Sequence, residues 1–171
     1  MTYAELQVTS HFSFLRGASS PEELFVRAHE LGLPALGICD RNSLAGIVRA
    51  HEAAKVTGVR LVVGCRLDLA DDASLLVYPT DRPSYARLCR LLTLGKGRAG
   101  KGACHLGWSD LRDWSEGLLA ILLPDEPDAL LQERLGRLRR DFGGRGYLSL
   151  SLRRRPGDAV RLERLSALAR D

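Results

Sequence analysis

Apolar residues along this chain recur in two alternating rhythms. Short runs have strand length and end in turn residues: Leu6-Gln-Val8, Ala35-Leu-Gly-Ile-Cys39, Leu61-Val-Val63, Leu67-Asp-Leu69, Leu75-Leu-Val-Tyr78 and Leu118-Leu-Ala-Ile-Leu-Leu123. Between them, apolar side chains return every three or four positions, as at Leu24, Ala28 and Leu31, or at Tyr85, Leu88, Leu91 and Leu92. Ser20-Pro-Glu-Glu23 predicts the start of the first helix: Ser20 can cap, Pro21 suits the first helical position, and Glu23 completes a capping box. Gly32 supplies its stop. Further helices are predicted over 43–57, from Pro83 onward, over 109–114, over 128–140 and over 159–170. Tyr147 to Leu152 alternates like another strand, and Gly95 to Gly102 reads as a flexible loop. The β-α order predicts an α/β fold with a mainly parallel sheet or barrel, in one domain spanning 1–171.

Composition narrows the setting. The chain has 171 residues and is 45% hydrophobic, enough for one real core. Its runs fall short of the roughly 18–20 apolar residues that a membrane span needs, and the N-terminus lacks a basic-then-apolar signal pattern. A cytoplasmic protein with no membrane partner is expected. The formal net charge is +4, and arginine clusters occur at 137–140 and 153–155. Solvated faces are the ordinary reading of such clusters, and nucleic-acid contact is the alternative. Cys39, Cys65, Cys89 and Cys104 form no Cys-x-x-Cys pair, so structural thiols are expected.

Candidate chemistry lies where strands end, because ligands of β/α folds gather at the carboxyl ends of strands. A hydrolase using several metal ions needs His, Asp and Glu there. The chain offers Gln7, Thr9, His11, Asp40, Arg41 and Arg66. A guanidinium has no lone pair to give, and its charge opposes a cation. Arg41 or Arg66 is therefore expected to pair with Asp40 and fill the pocket with a salt bridge. His29 and His51 fall within predicted helices, and His105 beside Cys104 has no second His/Cys pair nearby. Lys96, Arg98 and Lys101 in the glycine-rich loop are the candidate nucleic-acid contacts. That loop is not a nucleotide cradle, since Gly102 follows Lys101 where a Ser or Thr is required.

The segments Tyr3–Gly17, Gly37–Gly46 and Leu61–Leu69 carry a family resemblance. With Leu76-Val-Tyr-Pro-Thr-Asp81 and Leu91-Leu-Thr-Leu-Gly95, the chain resembles the N-terminal polymerase-and-histidinol-phosphatase (PHP) domain of bacterial polymerase III alpha-type subunits. More narrowly, it resembles the error-prone DNA polymerase branch. The resemblance implies a distorted, TIM-like β/α barrel, incomplete at its C-terminal end, with the family's last ligands falling beyond Asp171. The family's His-x-His falls on Gln7 and Thr9, its Thr-Asp-His on Cys39, Asp40 and Arg41, and a glutamate after Gly-Cys on Arg66. Of these five ligand positions only Asp40 keeps its ligand type. The implication is a segment with no catalytic residue, bound metal or other cofactor of its own, acting as a scaffold for the polymerase core of the same chain. Magnesium and templated nucleotide transfer in DNA repair and damage-induced mutagenesis would belong to the parent. DNA and mutagenesis or sliding-clamp proteins are the partners implied through it. Two alternatives stay open: an active metal-dependent phosphoesterase or 3'-5' exonuclease of the PHP family, and a free-standing nucleic-acid- or protein-binding module.

Overall fold

The computed structural model describes residues 3–71, 73–124, 126–152 and 154–170. Six strands form one sheet in sequence order: β1 (Glu5–Val8), β2 (Ala35–Arg41), β3 (Arg60–Asp68), β4 (Ser74–Pro79), β5 (Leu118–Leu123) and β6 (Gly146–Leu148). Helices α1 (Pro21–Glu30), α2 (Ile47–Thr57), α3 (Arg82–Gly97), α4 (Trp108–Asp113), α5 (Ala129–Phe142) and α6 (Asp158–Leu168) lie between and after them. The predicted capping box of α1 is present, with Ser20 accepting from the Glu23 N–H and Glu23 accepting from Ser20 N–H. Asp81 and Ser84 build a second box at α3.

The sheet is mixed rather than mainly parallel. The pairs β1–β2, β2–β3 and β5–β6 are parallel, whereas β4 is antiparallel to both its neighbours. The cause is connection length. Only residues 69–73 join β3 to β4, and a parallel return needs a crossover of a dozen or more residues. Three boundaries also differ from the sequence reading. Leu61–Val63 and Leu67–Asp68 belong to one strand continuous through Gly64, with Leu69 just past its end, α3 runs on to Gly97 into the supposed loop, and β6 stops at Leu148.

Alternation along the strands gives the sheet two faces. On one, Leu36 and Ile38 of β2 pack under α1 and α2 with Phe25, Ala28 and Ala50, with Leu61 and Val63 of β3 alongside. Cys65 and Leu67 continue this face of β3 into a larger core with Leu75, Val77, Leu118, Ala120 and Leu122, covered by side chains of α3 to α6 such as Leu88, Leu91, Leu111 and Leu138. All helices thus cover one face, as they cover the outside of a barrel, and the sheet curls into a half-barrel. The concave face holds a smaller cluster of Cys39, Leu76 and Tyr78, with Val62, Leu119, Ile121 and Leu123 beside it. Tyr78 spans this face: its hydroxyl donates to Leu6 O at 2.8 Å, tying β4 to the edge strand β1. Gly64 makes room for it, since a Cβ there would lie 2.4 Å from Cys39 Sγ and 2.7 Å from the Tyr78 ring.

Candidate functional site: a basic cleft over the ends of the first three strands

After β1 the chain enters a tight turn over residues 9–17, held from behind by Asp40 at the end of β2. The Ser10 N–H donates to Asp40 Oδ1 at 2.9 Å, the Ser10 hydroxyl to Oδ2 at 2.7 Å, and the Ser13 hydroxyl to Oδ1 at 2.7 Å. Ser13 Oγ also accepts from the Arg41 N–H at 2.9 Å. Asp40 is 1% exposed, and a carboxylate so deep is tolerated because several donors satisfy it. Gly46, the N-cap of α2, packs against it: a Cβ there would come within 3.1 Å of Asp40 Oδ2. The partial positive charge of that helix end favours a carboxylate there. Gly17 closes the turn where no side chain fits, since a Cβ would meet Ser10 O at 2.1 Å.

Arg41 and Arg66 do not pair with Asp40. They converge on Asp68, which accepts from Arg66 Nε at 2.8 Å and makes a close ion pair with Arg41 Nε. The Ser74 hydroxyl donates to Asp68 Oδ1 at 2.7 Å, and Arg66 reaches Ser74 Oγ at 3.2 Å. Strand parity is the reason. Asp40 is in step with Leu36 and Ile38 on the helix-covered face, so Arg41 faces the concave side. There the register sets Arg41 beside Arg66, with Asp68 two residues on and Ser74 opposite Asp68 in β4. Asn42, at φ 48°, locks the rim: its N–H donates to Arg66 O at 2.7 Å, and its Oδ1 accepts from the Asp68 N–H at 3.2 Å. Burial alone would raise the Asp68 carboxyl. The hydrogen bonds from Arg66 and Ser74, with the charges of Arg66 and Arg41, outweigh that and hold it below its ordinary value.

The other positions singled out in the sequence are dispersed. Gln7 lies exposed on β1, whose pairing with β2 is bulged between Glu5 and Val8, and Thr9 is half-buried just past the strand. His11 sits in the turn against the Phe12 ring, 4.7 Å between centroids, with its N–H bonded to Ser19 O. His29, His51 and His105 are exposed. No group of three or more His, Cys, Asp or Glu side chains that could hold a metal ion occurs among the described residues. With Asp40 fully engaged on the far face and two guanidiniums on the near one, the donor set does not fit a divalent cation.

What lies over these strand ends instead is an open cleft of about 1040 Å³. Among the described residues, Arg16, Arg41, Lys96 and Lys101 line it against one carboxylate, Asp68, with Phe12 and Phe14 at the turn side. Lys96 comes from the last turn of α3, and Lys101 from the loop beyond. That loop is fastened back by His105 N–H to Gly95 O and by Ala70 N–H to Leu106 O. Arg98 is not part of the cleft; it bonds Asp110 at 2.8 Å. Arg153 of the second arginine cluster lies outside the described residues. Sequence reasoning gave no role to Ser10 and Ser13, which lie in the stretch after the first strand, and missed Arg16 and Asp68. Of these, Asp68 had a readable signal: it stands two positions after Arg66 and so shares its strand face.

The chain belongs to the PHP domain family, whose model matches residues 5–148. Within that family it is similar to error-prone DNA polymerases. It is 60% identical to error-prone DNA polymerase 2 of Agrobacterium fabrum over 99% of this chain and 16% of that protein. To error-prone DNA polymerase 1 of the same organism it is 62% identical, over 98% of this chain and 15% of that protein. The chain thus spans about a sixth of the length of these relatives, in which the matching segment is part of a much larger protein. Among solved structures, a proposed metal-dependent phosphoesterase from Bifidobacterium adolescentis superposes with a TM-score of 0.75 at 16% identity, over 99% of this chain and 83% of that one. That likeness supports a PHP-type, TIM-like fold, here an incomplete barrel.

Proposed function

We propose that this chain is the N-terminal PHP segment of an error-prone DNA-directed DNA polymerase, and that within it the segment is a metal-free scaffold for the polymerase core. The observation that carries the scaffold reading is the Arg41–Asp68–Arg66 clamp. Where a phosphoesterase would present ligands to a cation, two guanidiniums neutralise a carboxylate, and Asp40 serves the turn behind them. Identity of 60% over nearly the whole chain supports the polymerase reading. Nucleotide transfer with magnesium would then reside in the remainder of the parent, as would contacts with mutagenesis or sliding-clamp proteins.

Metal analysis tests the scaffold. After incubation with zinc, manganese and iron(II) salts and gel filtration, the chain should carry less than about a tenth of an equivalent of any of them. Stoichiometric metal, with hydrolysis of p-nitrophenyl phosphate, would establish the phosphoesterase alternative. The polymerase reading is tested on the gene: a stop codon directly after codon 171 would overturn it.

A further inference from the structure

The cleft has properties that a merely filled-in metal site does not need. Among the described residues, its cationic side chains outnumber its carboxylates by three, against a formal net charge of +4 for the whole chain. Arg41 is engaged by Asp68, but Arg16, Lys96 and Lys101 are exposed, and none has an ion-pair partner among the described residues. Beside them, the turn that Asp40 holds presents Phe14 to solvent at 84% exposure. Leu15 next to it has a φ of 60°, a conformation that a branched side chain adopts only under constraint. Ser10 and Ser13 fix the back of the turn on Asp40, so the aromatic ring stands on a rigid support rather than a loose loop.

Exposed cations in a groove, with an unburied aromatic ring at its side, form the combination that holds single-stranded nucleic acid: charges track the phosphates while the ring stacks on a base. We propose that this cleft binds a single DNA strand, with phosphates on Arg16, Lys96 and Lys101 and a base stacked on Phe14. The cleft shares Arg41 and Asp68 with the clamp, so the proposal rests on the scaffold reading; binding measured without metal separates failure of the one from failure of the other. A volume of about 1040 Å³ suits a few nucleotides.

The test is fluorescence anisotropy of the full chain with a labelled ~12-nucleotide oligo-dT, in EDTA so that bound metal plays no part. Three phosphate contacts at about 0.7 ions each give a log–log salt slope of about −2, hence about a 20-fold loss of affinity from about 50 to about 200 mM NaCl. The double variant Arg16→Ala/Lys101→Ala should bring the slope towards about −0.7. Phe14→Ala should weaken binding at least about fivefold and leave the slope unchanged. Arg98→Ala, held by Asp110 away from the cleft, should bind like the parent. A duplex of the same length should bind more weakly than the single strand. Circular dichroism on each variant confirms that it is folded. No oligonucleotide binding at low salt would overturn the proposal. So would equal losses from Arg98→Ala and Lys101→Ala, duplex binding as tight as single strand, or an oligo-dT signal abolished by inorganic phosphate at equal phosphate concentration.

Discussion

Replacing Asp68 by Asn tests the clamp most directly, because the change keeps the shape and removes only the charge. The wild-type side chain is 17% exposed, so its interactions are only partly screened. A hydrogen bond from Arg66 to a charged acceptor contributes about 1.5–3 kcal/mol, against about 1 kcal/mol to a neutral one. Ser74 loses a smaller part of its bond for the same reason. Arg41 is 44% exposed, and its ion pair contributes at most about 1 kcal/mol. Together the loss is about 2 kcal/mol, which for a chain of this size corresponds to a melting temperature lower by about 4–8 °C. Thermal melts followed by Trp108 and Trp114 fluorescence read it. The pH dependence has a definite sign. The Asp68 carboxyl is held below its ordinary value of 3.8, so its stabilisation is complete above that value and disappears as pH falls through the lower folded value. The gap between parent and Asp68→Asn should therefore be full at neutral pH and narrow in acid below about pH 4. A variant melting within about 1 °C of the parent at pH 7, or a gap that widens in acid, would refute the clamp.

Three further outcomes follow from the same geometry. Ser13→Ala removes a donor to Asp40 and the acceptor of the Arg41 N–H, and should cost about 1–3 kcal/mol in urea unfolding, with faster hydrogen exchange at Arg41. Gly17→Ala places a Cβ 2.1 Å from Ser10 O, against backbone that cannot yield cheaply, and should destabilise by about 3 kcal/mol in the same assay. Burial pushes the Cys39 thiol up to about 12 and the Cys65 thiol higher still. Iodoacetamide near pH 8 should therefore leave both unmodified in native protein and alkylate both in urea, as read by peptide mass spectrometry.

Much of this was legible in the chain. The capping box at Ser20 and Glu23 and the unbroken apolar run of β5 placed those elements directly. Gly64 hid the continuity of β3, because a glycine interrupts an apolar run on paper, whereas in the fold it admits Tyr78 and Cys39. The single antiparallel strand was hidden in a short connection that reads as one more turn. At the site, residue types were legible and partners were not. Nothing in the sequence shows the register that sets Arg41 beside Arg66, and without it Asp40 looks like the nearest carboxylate. Parity offered a partial correction: neighbours at 40 and 41 in one strand cannot face the same way. Lys96 and Lys101 were read as loop charges, and only the fold shows them reaching over the strand ends while Arg98 turns away to Asp110.

The three hydrogen bonds that Asp40 accepts from Ser10 and Ser13 also change how a surviving ligand residue should be weighed. An acidic side chain that remains after its companions have gone is easily taken as a relic of old chemistry, or as a seed for its return. Here its hydrogen bonds make it an anchor for the architecture of the first turn. Histidines placed at Gln7, Thr9 and Arg41 would meet a carboxylate already held by Ser10 and Ser13. The carboxylate they would need already has a different employment, on the other side of the sheet.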